Sequence, residues 1–340
     1  MGIEPNGRRV SVKDVAAAAG VSLGTVSNVL NRPEKVLPAT REHVLAVIGD
    51  LGFVRNDAAR QLRAGTNHAV GMIVLDVRNP FFTDVAQGVE DRLSEHGRPL
   101  ILGNSGQDAR RESTYLDLFE EQRVSGLLIT PVGQVLPRLR RLRERGTAVV
   151  VVDRRTGTRE FSSIAVDDKL GGRIAAQHLV DCGRRRIAFV GGPKGLNQVK
   201  HRLRGAQDVV DASPGTRLTF VETPMMDAVA GRQAAEQLLA LGKRARPDAI
   251  FAANDLIALG VLQALTLAGV RVPDDVAIIG YDDIDFAASA AIPLSSVRQP
   301  REQLGNVAAD TLLEVIADPA AKVRDVVLEP ELVVRRSTAG

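Results

Sequence analysis

The stretch from Val10 to Asn31 constrains this chain most, because it places two short apolar-faced helices on either side of one tight turn. Ser11, followed three residues on by Asp14, has the spacing of a capping box. It predicts a helix with Val12, Val15, Ala16 and Ala19 on one face and a stop at Gly20. Ser22 then caps a second helix whose inner face is Val26, Val29 and Leu30. Such a pair is a helix-turn-helix, and its second helix is shaped to enter a DNA major groove. Any two amphipathic helices around a glycine imitate the pattern, so the register of the downstream segments decides its meaning.

A third helix begins at Leu37-Pro38, where Pro suits the first helical position although Leu37 offers no capping oxygen. Gly49 inside it costs about 1 kcal/mol relative to Ala. Asn56 can cap the segment DAARQLRA, which Gly65 ends; about two turns of helix are marginal alone in water. Residues 1–65 carry nine Lys/Arg against six Asp/Glu, which is the whole of the chain's net charge of +3. That excess suits a nucleic-acid face, and on charge alone a solvated basic surface fits equally well.

Beyond residue 66 the pattern becomes an alternation of strands and helices. The apolar runs AVGMIVL (69–75), RPLILG (98–103), GLLIT (126–130) and TAVVVVD (147–153) read as buried parallel strands. Polar-faced helices at about 82–96, 108–122 and 135–145 separate them. A second series comes after: SSIAV, RIAFVG, RLTFVE, DAIFAAN and DVAIIGYD. The predicted fold is an N-terminal all-α head followed by an α/β core of two Rossmann-like lobes. The C-terminal ends of the strands in both lobes would face a shared cleft.

Other classes fit poorly. No GxGxxG follows a strand, and GNSG (103–106) is not a nucleophile elbow. His43, His68, His96, His178 and His201 lack metal spacing, so neither an enzyme, a metal nor a cofactor is expected. Cys182 is the only cysteine, which rules out an intrachain disulfide. No apolar run is long enough to span a membrane, and MGIEPNGRR lacks a signal-peptide core, so the expected location is cytoplasmic.

The motifs VKDVAAAAGVSLGTVSNVLN, ATREHVLAVIGDLGF, NDAARQLR, NPFF, VDRR, NDLIALGVLQAL, GYDD and QPREQLG occur in that order. In them the chain resembles the lactose-repressor (LacI) family of transcription regulators, from Val12 to about Ser337. The resemblance implies a DNA-binding domain at 1–66 with a hinge helix at about 56–64. It also implies a two-lobed, periplasmic-binding-protein-like core at 67–340, which binds effector and dimerises. The N-lobe would take about 67–167 and 296–320, and the C-lobe about 168–295 and 321–340. The chain would then cross between lobes near Asp167, Ser296 and Ala320.

The implied partners are palindromic double-stranded operator DNA, a second copy of the chain and a small effector. Residues at the start of the second helix are the ones placed to reach the DNA: Ser22, Leu23, Gly24, Thr25, Ser27 and Asn28. Gly24 has no side chain for a base and Leu23 offers only an apolar contact, so Asn28 is the best candidate for direct readout. Thr25 and Ser27 fit helix packing and capping equally well. By resemblance, Asn56, Ala59, Arg60, Leu62 and Arg63 make up the hinge contacts, with Leu62 as the wedge that unstacks a base step in the minor groove.

For the effector, the resemblance points to Asn79, Phe81, Phe82, Asp153, Arg154, Arg202, Met226, Asn254, Asp282 and Gln299. Most of them directly follow predicted strands, at the mouth expected of this fold. Met226 stands where relatives often place an aromatic, and Leu196 where a purine-binding member carries an extra arginine. Both departures favour a neutral pentose or related polyol over a purine. Two alternatives stay open: a phosphorylated metabolite received by Arg154 and Arg202, and control by a corepressor protein. The chain ends at RRSTAG without a heptad tail, so a tetramer made by a C-terminal coiled coil is not expected.

Overall fold

Ser11 and Asp14 close both bonds of the capping box: Ser11 N donates to Asp14 Oδ2 at 2.8 Å, and Asp14 N to Ser11 Oγ at 3.4 Å. They open α1 (Val12–Ala18), which ends before Gly20 at φ +63°, a backbone angle that favours glycine. Next come α2 (Leu23–Asn31) and α3 (Pro38–Asp50), with Pro38 in the first turn of α3 and no side-chain cap from Leu37. Val15, Ala16, Ala19, Val26, Val29, Val44 and Phe53 form the small core of the head. The computed structural model describes residues 10–53, 68–242 and 244–339. The chain divides into two compact units, 1–65 and 66–340. The hinge residues Asn56, Ala59, Arg60, Leu62 and Arg63 lie outside the described residues.

The second unit opens with β1 (Val70–Val74), α4 (Pro80–Ser94), β2 (Leu100–Asn104), α5 (Ala109–Glu121), β3 (Gly126–Ile129), α6 (Leu136–Glu144), β4 (Ala148–Val152) and β5 (Ser162–Val166). Then follow α7 (Asp168–Asp181), β6 (Arg186–Gly191), α8 (Asn197–Asp211), β7 (Arg217–Glu222), α9 (Ala228–Ala240), β8 (Ala249–Ala252) and α10 (Asp255–Leu267). The unit closes with β9 (Ala277–Asp282), α11 (Asp285–Ser289), β10 (Ser295–Arg298), α12 (Arg301–Ala317), β11 (Asp325–Leu328) and β12 (Glu331–Val333). Among the described residues two six-stranded sheets form, in the orders β11-β5-β4-β3-β1-β2 and β12-β10-β9-β8-β6-β7. All pairings are parallel except β10 with β12. The central strands are apolar at nearly every position because helices cover both of their faces.

Three expectations need correction. Ser296 does not begin an N-lobe segment: it lies in β10, paired with Gly280 of β9 and Val333 of β12, so the second crossing falls at 299–300. Ala320 is not the third crossing, because β11 pairs with β5 (Val326 against Ile164) and keeps the chain in the N-lobe until about 329. α12 packs on α4 in that lobe. A short polar run such as SSVR gives no sign of which sheet it joins, since its long-range pairing decides. Finally, β2 is not fully buried: it is the sheet edge, and Ile101 and Leu102 are 40% and 42% exposed.

The C-lobe helices approach unusually closely. A Cβ on Gly172 of α7 would lie 2.1 Å from Arg202 O of α8, and one on Gly205 would lie 2.0 Å from Lys169 O. Two glycines facing each other's helix backbones therefore fix where α8 lies. α8 in turn carries Arg202 to the mouth of the sheet.

Candidate functional site

In the head, Ser22 Oγ accepts from Thr25 N at 3.0 Å and lies 2.9 Å from Thr25 Oγ1, so these hydroxyls cap α2. Ser27 Oγ accepts from Asn31 Nδ2 at 3.3 Å. Leu23, Gly24 and Asn28 are exposed on the same helix, and Thr25 and Ser27 are half-buried. The outward surface of α2 is thus an apolar, a bare and an amide position, with its hydroxyls already engaged.

In the core, a cavity of about 10 Å³, room for a single water molecule, lies at the C-terminal ends of the strands, where the two lobes have closed on each other. It gathers Asn79, Phe81, Phe82, Asp153, Arg202, Met226, Asp282 and Gln299 from the expected set, together with Leu75 and Gln198. β1 leads to Asn79, whose Oδ1 caps α4 through Phe81 N at 3.1 Å. The rings of Phe81 and Phe82 meet edge to face with centroids 4.9 Å apart, and both are buried. β4 delivers Asp153 at φ +58°, and β9 delivers Asp282 at φ +106°. Such angles are sparsely populated by side-chain-bearing residues and persist where their surroundings hold them.

The polar groups bond one another across the cavity. Asp282 accepts from Asn79 Nδ2 at 2.8 Å and from Gln299 Nε2 at 2.7 Å. Gln198 Nε2 donates to Asp153 Oδ2 at 2.8 Å. Arg202 lies over the Tyr281 ring at 3.6 Å, with Nε on Asp168 Oδ1 at 2.7 Å and Nη1 on the Ala253 carbonyl at 2.7 Å. Two buried oxygens, Asp153 Oδ1 and Gln299 Oε1, have no protein partner. Buried oxygens left so are costly, and a ligand whose hydroxyls both donate and accept would satisfy them.

Electrostatics follow from burial. Asp153 is pushed up to about 8 by desolvation, reinforced by the Asp168 carboxylate and opposed by Arg202 and the Gln198 bond. Burial also raises Asp282, against Arg202, Asn79 and Gln299, which favour its charged form. Desolvation works against a charged Arg202, but Asp168 and the other acids around it hold its pKa above the ordinary value. Three buried acids, Asp153, Asp168 and Asp282, thus surround one buried guanidinium.

Two expected residues are not brought to this cavity. Arg154 points its Nη1 to the Gly133 carbonyl at 2.8 Å, beside Glu112. Asn254 caps α10 through Ile257 N and donates to the Met226 carbonyl at 3.1 Å, so it holds the wall without lining the cavity. Each directly follows or ends a strand run, but the side chain turns the other way. Conversely, sequence reasoning missed Gln198, Asp168 and Tyr281. Gln198 had a usable signal: it sits four residues before Arg202, on the same helix face. Asp168 and Tyr281 reach Arg202 only through the packing of α7 and β9.

A helix-turn-helix head and a two-lobed core with a closed inter-lobe cavity define a ligand-controlled DNA-binding regulator. Comparison with known proteins agrees. Residues 11–56 match bacterial regulatory proteins, lacI family, and residues 176–338 match the periplasmic binding protein-like domain. The HTH-type transcriptional repressor PurR of Photobacterium profundum is 34% identical over 330 residues, covering 96% of this chain and 98% of its own. The ribose operon repressor of Escherichia coli (strain K12) is also 34% identical, over 331 residues, covering 96% and 99%. A LacI family transcriptional regulator from Enterococcus faecium, solved with bound ribose, has a TM-score of 0.73 at 28% identity, over 80% of this chain and 98% of its own. The chain belongs to the lacI family of bacterial regulatory proteins: it is a DNA-binding transcriptional repressor, not an enzyme. Among the described residues no helix is long and apolar enough to cross a membrane.

Proposed function

We propose that this repressor works as a homodimer whose affinity for a palindromic operator is switched by a neutral sugar, a pentose or related polyol, held in the inter-lobe cavity. The observation that carries this reading is the charge balance of the cavity. Its one arginine, Arg202, is already engaged by Asp168, Ala253 and Tyr281, and Asp168 and Asp282 surround it, so no cationic charge is left over for an anion. An uncharged ligand with several hydroxyls, each able to donate and to accept, can bond both Asp153 Oδ1 and Gln299 Oε1, and Phe81 and Phe82 offer an apolar wall. A phosphate would meet carboxylates there, and Arg154 is turned to Gly133 and does not help it. The Enterococcus faecium relative with bound ribose supports the same class.

The dimer would read two half-sites with its α2 helices, through Asn28 and Leu23 above all, while Ser22, Gly24, Thr25 and Ser27 form the approach surface. Asn56, Ala59, Arg60, Leu62 and Arg63 would supply the hinge contacts, with Leu62 as the minor-groove wedge. The exposed apolar pair Ile101 and Leu102 on the edge strand β2 is the kind of surface a second copy covers.

The test is a thermal-shift screen of the purified repressor against pentoses, hexoses, polyols, sugar phosphates and purines. A neutral pentose should raise the melting temperature by mass action, and the same compound should alter operator binding. Stabilisation by sugar phosphates or purines alone would overturn the assignment.

A further inference from the structure

Gln198 is the one cavity residue that reaches across from the C-lobe to an N-lobe acid through its own side chain. It stands in the first turn of α8, where Leu196 and Val199 are buried on either side and set its rotation. Its amide nitrogen bonds Asp153 Oδ2 at 2.8 Å and approaches the Asp153 carbonyl at 3.4 Å. α8 cannot slide away to relieve this contact, because Gly172 and Gly205 have already brought it to backbone contact with α7. The other oxygen of the same carboxyl, Oδ1, is buried and has no partner. Half of Asp153 is therefore held by the protein and half is left for something else.

We propose that Gln198 is an internal stand-in for the effector: in the empty core its amide holds Asp153 and keeps the lobes together, and an effector binds by taking Asp153 from it. The inference deepens the ligand reading above and rests on the same cavity, but its test needs no ligand. Asn79, bonded to Asp282 at 2.8 Å, spans the lobes at the other side of the cavity and shares the load. At the mouth, Arg78 lies 3.7 Å from Asp227 and adds an exposed ion pair between the lobes, of the kind worth little by itself. Gln198 thereby selects ligands: a compound gains only if it offers Asp153 a hydrogen-bond donor at least as well placed as an amide that is already present. Removing the amide makes the empty core open more readily and removes the competitor at once.

The experiment measures the distance between the lobes in the full-length, ligand-free protein. Spin labels go on Gln87→Cys and Val229→Cys, both exposed and on opposite lobes, in a Cys182→Ser background. With Gln198 intact the distance distribution should be single and short. Gln198→Ala should add a longer component. Gln198→Met keeps the length of the side chain but has no hydrogen-bond donor for Asp153, and it should do the same. Asp153→Asn still presents an oxygen to the amide and should stay short. Melting curves of each variant establish that it is folded. Distributions identical to the parent in both Gln198 variants overturn the proposal. Longer distances in both variants, with no stabilisation of any of the proteins by D-ribose or D-xylose, would support the stand-in and overturn the pentose reading instead.

Discussion

Asp282 shows how one residue serves both stability and switching. It is buried at φ +106° and its two oxygens take bonds from Asn79 of one lobe and Gln299 of the connecting segment. Asp282→Ala should abolish the effector response, as measured by fluorescence anisotropy of operator binding with and without ligand. A retained response would remove Asp282 from the site. Asp153 adds a pH dependence. With its folded value at about 8 and an unfolded value near 3.9, it holds a proton in the native state that the unfolded chain gives up. Its contribution to stability is therefore full below about pH 4 and is lost as pH rises through about 8. The melting temperature of the ligand-free protein should fall over that window, and Asp153→Asn should flatten the slope. The buried acids Asp282 and Asp255, also raised, contribute in the same sense and should leave part of it.

Among the elements, the α7–α8 pair is the most exacting. Gly172→Ala would place a methyl group 2.1 Å from the Arg202 carbonyl, a contact that only movement of the helices can relieve. Overpacking of this type costs about 1–3 kcal/mol. Because Arg202 and Gln198 ride on the displaced helix, effector affinity should fall along with the melting temperature. A loss of stability with unchanged effector binding would show that α8 does not set the cavity. In the head, Ser22→Ala removes the cap of α2 and should cost about 1 kcal/mol, read as a lower denaturation midpoint. The start of these elements is legible in the sequence. The capping box at Ser11, the stop at Gly20 and the caps at Ser22 and Asn79 are all local signals, because a helix end is satisfied by residues two or three positions away. Strand membership is not local in this way. SSVR and DVVL look alike as short runs, yet β10 joins one sheet and β11 the other.

For the whole molecule, the effector must act through the difference in its affinity for two arrangements of the lobes, since equal affinity shifts nothing. A coupling of about 1–3 kcal/mol, or roughly 5–150-fold in operator affinity, is the expected size. Anisotropy titrations of an operator duplex with and without the stabilising sugar measure it directly, and an unchanged operator affinity would mean that the cavity does not control the head. The sequence alone determined the helix-turn-helix and the strand–helix alternation of the core, because caps and apolar periodicity are written within short stretches of chain, and its resemblance to the lacI family pointed to eight of the ten residues that line the cavity. Only the tertiary structure decided that Arg154 and Asn254 turn away, that Gln198 crosses to Asp153, and where the chain changes lobes. Those choices depend on which of several nearby acceptors a side chain reaches once distant segments have packed, and on sheet pairings between residues more than a hundred positions apart.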